Sequence, residues 1–202
     1  VIFDHIKTYI IKKNMLRQGF DETPSSIANA AFLSIVEAVE GREMSSKVAN
    51  PLRRPRLRSD YDLDARFELG LEEFERALRI NPKSSEVLCL CARSLMLQAR
   101  FVEDPADLTR RASGLFEAAT RGHGWEPHIV LRQWGNCLLD YSRHGEKLEW
   151  RRAALFADAL ALFERGYDSK PDTATFVNPI AEDWSRALQL QRSAHPAWNR
   201  RR

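Results

Sequence analysis

Between positions 123 and 144 the chain has five histidine, cysteine and aspartate side chains, residue types that ligate metals or transfer protons. His123, His128 and Cys137 could ligate zinc, but their spacing matches no zinc pattern and a fourth ligand is not evident. Asp140 and His144 lie four residues apart, the spacing of an exposed ion pair on one helix face. Cys137 lies about two turns from His144, too far for the imidazole to activate the thiol. The sequence therefore predicts neither a metal site nor a catalytic pair in this stretch.

Motifs that bind phosphates or position nucleophiles are also missing. The chain has no glycine-rich phosphate loop, no GxSxG, no HExxH and no pair of carboxylates in an evident pocket. We therefore predict no catalytic residue and no cofactor, and expect that the protein is not an enzyme.

Basic residues are concentrated in two short segments. Residues 42–58 carry a net charge of +5 and residues 192–202 carry +4, which leaves −6 for the rest of a chain whose total is +3. The basic patch in the first segment could bind phosphates of nucleic acid or lipid; it consists of Arg53, Arg54, Arg56 and Arg58. Aromatic residues that would stack on bases are absent from it. A solvated linker is the preferred interpretation, and nucleic acid is the less favoured partner.

Composition favours a globular chain in a reducing compartment. Of the 202 residues, 44% are hydrophobic, which is too many for a disordered protein. The three cysteines, Cys89, Cys91 and Cys137, lie in apolar segments, so reduced thiols are expected. An intracellular location follows, with the cytoplasm favoured and the mitochondrion or plastid as alternatives. No apolar run approaches the ~20 residues needed to cross a membrane.

Apolar spacing predicts helices from the beginning of the chain. Residues 1–20 have a helical period, although a β-branched cluster leaves a strand open as an alternative. Thr23 and Pro24 form a helix start, and Gly41 is expected to end that second helix. We therefore predict a helical hairpin over residues 1–42, followed by a basic linker over residues 43–60.

The remainder of the chain, residues 61–202, contains prolines at regular intervals. Pro82, Pro127 and Pro171 are 45 and 44 residues apart, and each follows an apolar segment that contains a phenylalanine. Helix starts are expected at Ser84 and at Asp104–Pro105. A fixed period of this length is typical of a repeat array in which successive units stack. The predicted fold class is all-α.

Small and large residues within each unit carry a family resemblance. Gly70, Phe74, Ala77 and Pro82 match the small–large–small–proline spacing of the tetratricopeptide repeat's second helix. The same pattern recurs, in full or without the proline, at Ala159, Phe163, Gly166 and Pro171 and at Ala112, Phe116 and Ala119. The chain resembles this family over roughly residues 61–192, with a unit about ten residues longer than the family's 34. The segment LRQWGNCLLDYS is similar to that of plant-type mitochondrial import receptors.

The resemblance implies an αα superhelix of three to four helix pairs with a partner in its concave groove. One groove type in this family holds a peptide's terminal carboxylate with a basic residue and an asparagine four positions later, as Arg132 and Asn136 are spaced. The partner-binding residues implied by the alignment are Glu86, Arg93, Arg132, Asn136 and Asp140, with Cys89 beside them. Ile129 and Leu139 are expected to supply apolar anchors, and Trp134 to be a core residue.

Three hypotheses about function follow. The first is a non-catalytic interaction scaffold or adaptor that binds a peptide or a helix in the groove. The second is a structural subunit of a larger organellar or ribonucleoprotein assembly, with its basic segments against RNA, lipid or an acidic neighbour. The third is a non-catalytic regulatory domain of a multidomain protein. The sequence predicts no oligomeric state.

Overall fold

The described part of the protein is entirely helical. The computed structural model describes residues 23–48 and 58–169, together with the single residues 185 and 189. These residues form six α-helices and no β-strand. The helices are α1 (Pro24–Val48), α2 (Arg58–Ile80), α3 (Ser85–Gln98), α4 (Ala106–Thr120), α5 (Pro127–His144) and α6 (Glu149–Ser169). The all-α prediction is confirmed for these residues, while the predicted helix within residues 1–20 lies outside them.

Two compact units divide the chain, Val1–Pro82 and Lys83–Arg202. In the first unit, α1 packs against α2. Their contact is close at Gly70, where a β-carbon would overlap the side chain of Ile35. The sequence predicts α1 as part of the N-terminal hairpin over residues 1–42 and most of α2 as part of the repeat domain over residues 61–202. In the structure these two helices pack against each other, and the predicted partner of α1 within residues 1–20 lies outside the described residues.

Helix α1 begins where the sequence predicts and ends later. The backbone N–H of Ser26 donates a hydrogen bond to Thr23 Oγ1 at 3.2 Å, which is the predicted cap. The helix continues through Gly41 to Val48, so the prediction that Gly41 ends it is wrong. A glycine inside a helix costs about 1 kcal/mol but does not prevent the next residue from being helical. Because Arg58 is already helical as well, only part of the predicted linker 43–60 lies between the two helices.

The second unit contains two helix pairs that also contact each other. Helix α3 packs against α4, α5 packs against α6, and α5 contacts both α3 and α4. The small–large–small residues of α4 and α6 are all buried: Ala112, Phe116, Ala119, Ala159, Phe163 and Gly166. Both occurrences of the small–large–small pattern in this unit therefore lie at packing positions.

Hydrogen bonds between loops fix the first of these pairs. The N–H of Ser85 donates to the carbonyl of His123 at 2.8 Å, and the N–H of His123 donates to the carbonyl of Lys83 at 2.7 Å. A β-carbon on Gly122 would lie 2.6 Å from that same Lys83 oxygen, so only glycine fits beside it. Ser84 caps α3 by accepting a hydrogen bond from the N–H of Val87. The start of α3 and the end of α4 are thereby tied together.

The closest approach in the second pair is between Gly135 and Phe163. A β-carbon on Gly135 would lie 2.6 Å from Cε1 and 2.8 Å from Cζ of the Phe163 ring. That ring is fully buried, so it has little room to shift. Gly135 is therefore the residue that allows α5 and α6 to approach this closely.

We expect Gly135→Ala to lower the free energy of unfolding by about 1–3 kcal/mol, because the added methyl group overpacks the interface with α6. Gly114→Ala is the matched control. It lies in α4 with nothing within 4 Å of its β-carbon position, so alanine should raise stability by roughly 0.5–1 kcal/mol. Urea denaturation of the two variants measures both changes. Equal effects of the two substitutions would contradict the close packing at Gly135.

Candidate functional site

Helices α3 and α5 bring together polar and thiol side chains that lie far apart in sequence. The Cys89 thiol of α3 interacts electrostatically with Cys137 of α5 and with Arg93 and Glu86 of its own helix. The Cys137 thiol interacts with Arg93 and with Asp140. We call these five residues the α3–α5 cluster. Three of the five predicted partner-binding residues, Glu86, Arg93 and Asp140, therefore lie around the same pair of thiols.

Asp140 is also an ion-pair centre. Its carboxylate accepts a hydrogen bond from Arg100, just after α3, at 3.3 Å, and lies 3.6 Å from His144 Nε2. The predicted pair of Asp140 and His144 is thus present, with both side chains about half exposed. Arg100 was not predicted to belong to this site. It is 40 residues from Asp140, and no local spacing rule could have joined the two.

The two thiols of the cluster are held in their neutral form. Burial raises the pKa of Cys89 far above its usual value; Cys137 raises it further, while Arg93 partly lowers it. Desolvation raises the pKa of Cys137 to about 11, and Arg93 offsets part of that increase. A nucleophilic cysteine requires the thiolate, which these environments disfavour at neutral pH. The arrangement thus gives neither thiol the activation that covalent catalysis needs.

We expect Cys89 and Cys137 in the folded protein to react slowly with a disulfide reagent such as DTNB at pH 8. Both raised pKa values lie above this pH, so the reactive thiolate is scarce. Unfolding in guanidinium chloride should expose all three cysteines and accelerate the reaction by roughly two orders of magnitude. Stopped-flow absorbance measures the rates. Cys137→Ser identifies its phase, and a fast Cys137 phase in the native protein would contradict the raised pKa.

The remaining predicted residues lie on α5. Arg132 and Asn136 are one turn apart, and Asp140 is one further turn along, so the three occupy one helix face. Arg132 and Asn136 are partly buried, and each interacts with other groups in the chain. Of the two predicted apolar anchors, Ile129 is partly exposed whereas Leu139 is buried at 3% exposure. The prediction for Leu139 is therefore wrong, because it packs inward.

The other candidates receive less structural support. Among the described residues, no three histidines, cysteines or acidic residues are grouped as metal ligands. His128 is buried, and its Nδ1 lies 3.3 Å from the Glu126 carboxylate. Gly124, in the turn that follows α4, has a φ of +111°. Of the predicted basic patch, Arg53, Arg54 and Arg56 lie outside the described residues, as do Arg200, Arg201 and Arg202. The backbone of Arg58 begins α2.

A groove that the sequence analysis did not predict runs along α6 in the second unit. It has a volume of about 640 Å³ and lies between α4 and α6, with α5 as its floor. The floor is formed by Trp134, Leu138 and Tyr141. Trp134 stacks on Phe116 with a centroid distance of 5.4 Å and an interplanar angle of 9°. Trp134 remains partly exposed, so the expectation of a core residue is wrong in part.

We call this the α6 groove. Charged and apolar side chains alternate along its walls. The α6 wall is formed by Arg151, Ala154, Leu155, Asp158, Ala161, Leu162 and Arg165. At one end the buried carboxylate of Glu146 accepts a hydrogen bond from the N–H of Leu148 at 2.8 Å. Burial, and next Glu146, raise the pKa of Tyr141 in the floor, which keeps its phenol neutral. Apolar residues recur at steps of three and four along this wall of α6. This spacing could have predicted a second apolar stripe on the helix.

A smaller groove of about 280 Å³ lies in the first unit, between α1 and α2. Its apolar lining includes Ile27 and the exposed Leu69. Arg66 donates a hydrogen bond to Ser34 Oγ at 3.1 Å across it, and Arg76 forms an ion pair with Glu73 on its rim. The charged groups of this groove thus have partners within the unit.

Comparisons with known proteins add no further information. The sequence matches no family model, no curated protein and no solved structure. In the part of the chain that the structure describes, none of the helices combines the length and apolar character needed to cross a membrane.

Proposed function

We propose that the protein is a non-catalytic interaction scaffold of tetratricopeptide type that binds a peptide or helix along α3 and α5. The observation that carries this proposal is the direct packing of α3 on α5 around the α3–α5 cluster. In arrays of this type the first helices of successive pairs line the concave surface. Here those helices carry Glu86, Arg93, Arg132, Asn136 and Asp140, all of which are partly exposed.

The chemistry of this surface suits an acidic group on the partner. Arg93 and Arg132 provide planar guanidinium groups, which bind a carboxylate through two parallel hydrogen bonds. Asn136 adds an amide one turn from Arg132, and Ile129 offers a partly exposed apolar contact nearby in the sequence. We therefore propose a partner that carries a carboxylate, such as a peptide C-terminus, next to an apolar side chain.

The thiols support binding over catalysis. Cys89 and Cys137 are held neutral where α3 meets α5; Arg93 interacts with both thiols and Asp140 with that of Cys137. This arrangement of α3 and α5 therefore contains no activated thiol. The alternative, a subunit whose basic segments contact RNA or lipid, rests on residues 53–56 and 200–202, which lie outside the described residues.

We expect Arg132→Glu and Arg93→Glu each to weaken peptide binding at least tenfold, equivalent to about 1.4 kcal/mol. The ligand would be selected from a random peptide library with free C-terminal carboxylates and then titrated by fluorescence anisotropy. Its C-terminally amidated form should also bind at least ~10-fold more weakly, because amidation removes the charged acceptor.

Arg143→Glu is the matched control, since it makes the same charge change at an exposed position of α5. It should change the affinity less than ~2-fold. Circular dichroism and urea denaturation verify that each variant remains folded. Unchanged affinity in both test variants would place the binding surface elsewhere and would contradict the proposal.

A further inference from the structure

Helix α6 has charges of alternating sign on the face that lines the α6 groove. Arg151, Asp158 and Arg165 follow each other at seven-residue intervals, which places them in one row along the helix. All three are exposed. From Arg151 to Arg165 this row is about 21 Å long, given a rise of roughly 1.5 Å per residue. The row is long enough to contact about four turns of another helix.

Small residues separate these charges. Ala154 and Ala161 lie in the α6 wall of the groove, and both are exposed. Alanine at such positions allows a second helix to approach closely, since no long side chain has to move aside. The partly buried Leu155 and the buried Leu162 provide apolar surface beneath them.

The beginning of α6 exposes large apolar side chains. Trp150 is 66% exposed and Leu148 is 46% exposed. The guanidinium of Arg151 lies over the Trp150 ring, 5.2 Å from its centroid. An exposed tryptophan beside an open groove is typical of interaction surfaces.

We propose that two copies of the chain associate through antiparallel α6 helices, each lying along the other's α6 groove. If a two-fold axis passes between Ala154 and Leu155, Arg151 of one copy faces Asp158 of the second copy. By symmetry the same ion pair forms twice. Leu148 then faces Ala161 of the second copy, which covers part of the exposed apolar surface.

Charge complementarity is what selects this occupant and this orientation. A parallel pair in register would place Arg151 against Arg151 and Asp158 against Asp158, and such like-charge contacts are unfavourable. The antiparallel arrangement converts both contacts into attractive ones. Three other ionic groups of the groove already have partners, because Arg110 pairs with Asp107, Asp104 accepts the Ala106 N–H and Glu146 accepts the Leu148 N–H. The Arg151–Asp158 row is therefore the part of the rim best suited to recognise a second helix.

The dimer should be weak and sensitive to salt. A contact centred on one helix per copy lies at the small end of specific interfaces, which bury about 1,200–2,000 Å². Its exposed ion pairs are screened at high ionic strength.

Sedimentation velocity of the full chain between about 1 and 200 μM should show a monomer–dimer equilibrium at low salt. In about 0.5 M NaCl it should shift toward monomer.

Charge-reversal variants test the register directly. Arg151→Asp and Asp158→Arg should each weaken self-association at least tenfold, since either change places like charges opposite each other. Mixing the two variants should restore a dimer, now a heterodimer, because each reversed residue meets the opposite charge of the other chain. The double variant R151D/D158R should again self-associate.

Glu164→Arg is the matched control, an exposed acidic residue of α6 outside the groove. It should leave self-association within ~2-fold of the unmodified chain. A monomer at every concentration would overturn the proposal, and the α6 groove would then be open to a helix of another protein. Dimerisation that survives both single reversals, or that fails to return on mixing them, would overturn it equally. Peptide binding through Arg132 is measured separately, so failure of this proposal is distinguishable from failure of the proposed function.

Discussion

The close approach of α5 and α6 at Gly135 is the constraint on which the second unit depends. Because the Phe163 ring occupies the space where any β-carbon would lie, the two helices can pack at this distance only with glycine there. The contact fixes the rotation of α5 about its own axis. That rotation decides which residues turn toward α3, which face the α6 groove and which remain in the core. Because its rotation is fixed, α5 presents a different set of side chains to each of its neighbours.

Helix α5 therefore contributes to both candidate surfaces. Cys137 and Asp140 belong to the α3–α5 cluster, whereas Trp134, Leu138 and Tyr141 form the floor of the α6 groove. Leu139 packs inward between these faces. Substitutions only one residue apart on this helix should therefore have different consequences, since neighbouring positions differ by about 100° in direction. The separation of the two surfaces would allow the proposed peptide binding and the proposed self-association to proceed independently.

Much of the helical architecture could be predicted from local signals, whereas the sites depended on contacts distant in sequence. The Thr23 and Ser84 caps and the small–large–small residues gave helix starts and packing positions because their physics is local. Gly41 was misleading because glycine permits a helix end but does not force one, and the helix runs on to Val48. The pairing of Arg100 with Asp140 and the exposure of Trp134 depend on how whole helices pack, which no spacing rule specifies. The α6 groove was missed for the same reason.

The ion pairs already formed by Asp140 lower the free energy that the proposed partner's carboxylate could gain at the α3–α5 cluster. Asp140 lies close to both Arg100 and His144, so it is an internal acceptor that competes with any incoming carboxylate for nearby cations. Binding energy is then a difference between the new contacts and those they displace. Arg132 lies on the same face of α5 as Asp140 but two helical turns before it. It is therefore farther from the Asp140 carboxylate than Asn136, which is one turn away. A carboxylate placed near Arg132 and Asn136 would thus lose less to competition than one placed beside Arg100. This difference favours the Arg132 end of α5 for the acidic group of the proposed partner, while the Arg100–Asp140 ion pair links the end of α3 to α5.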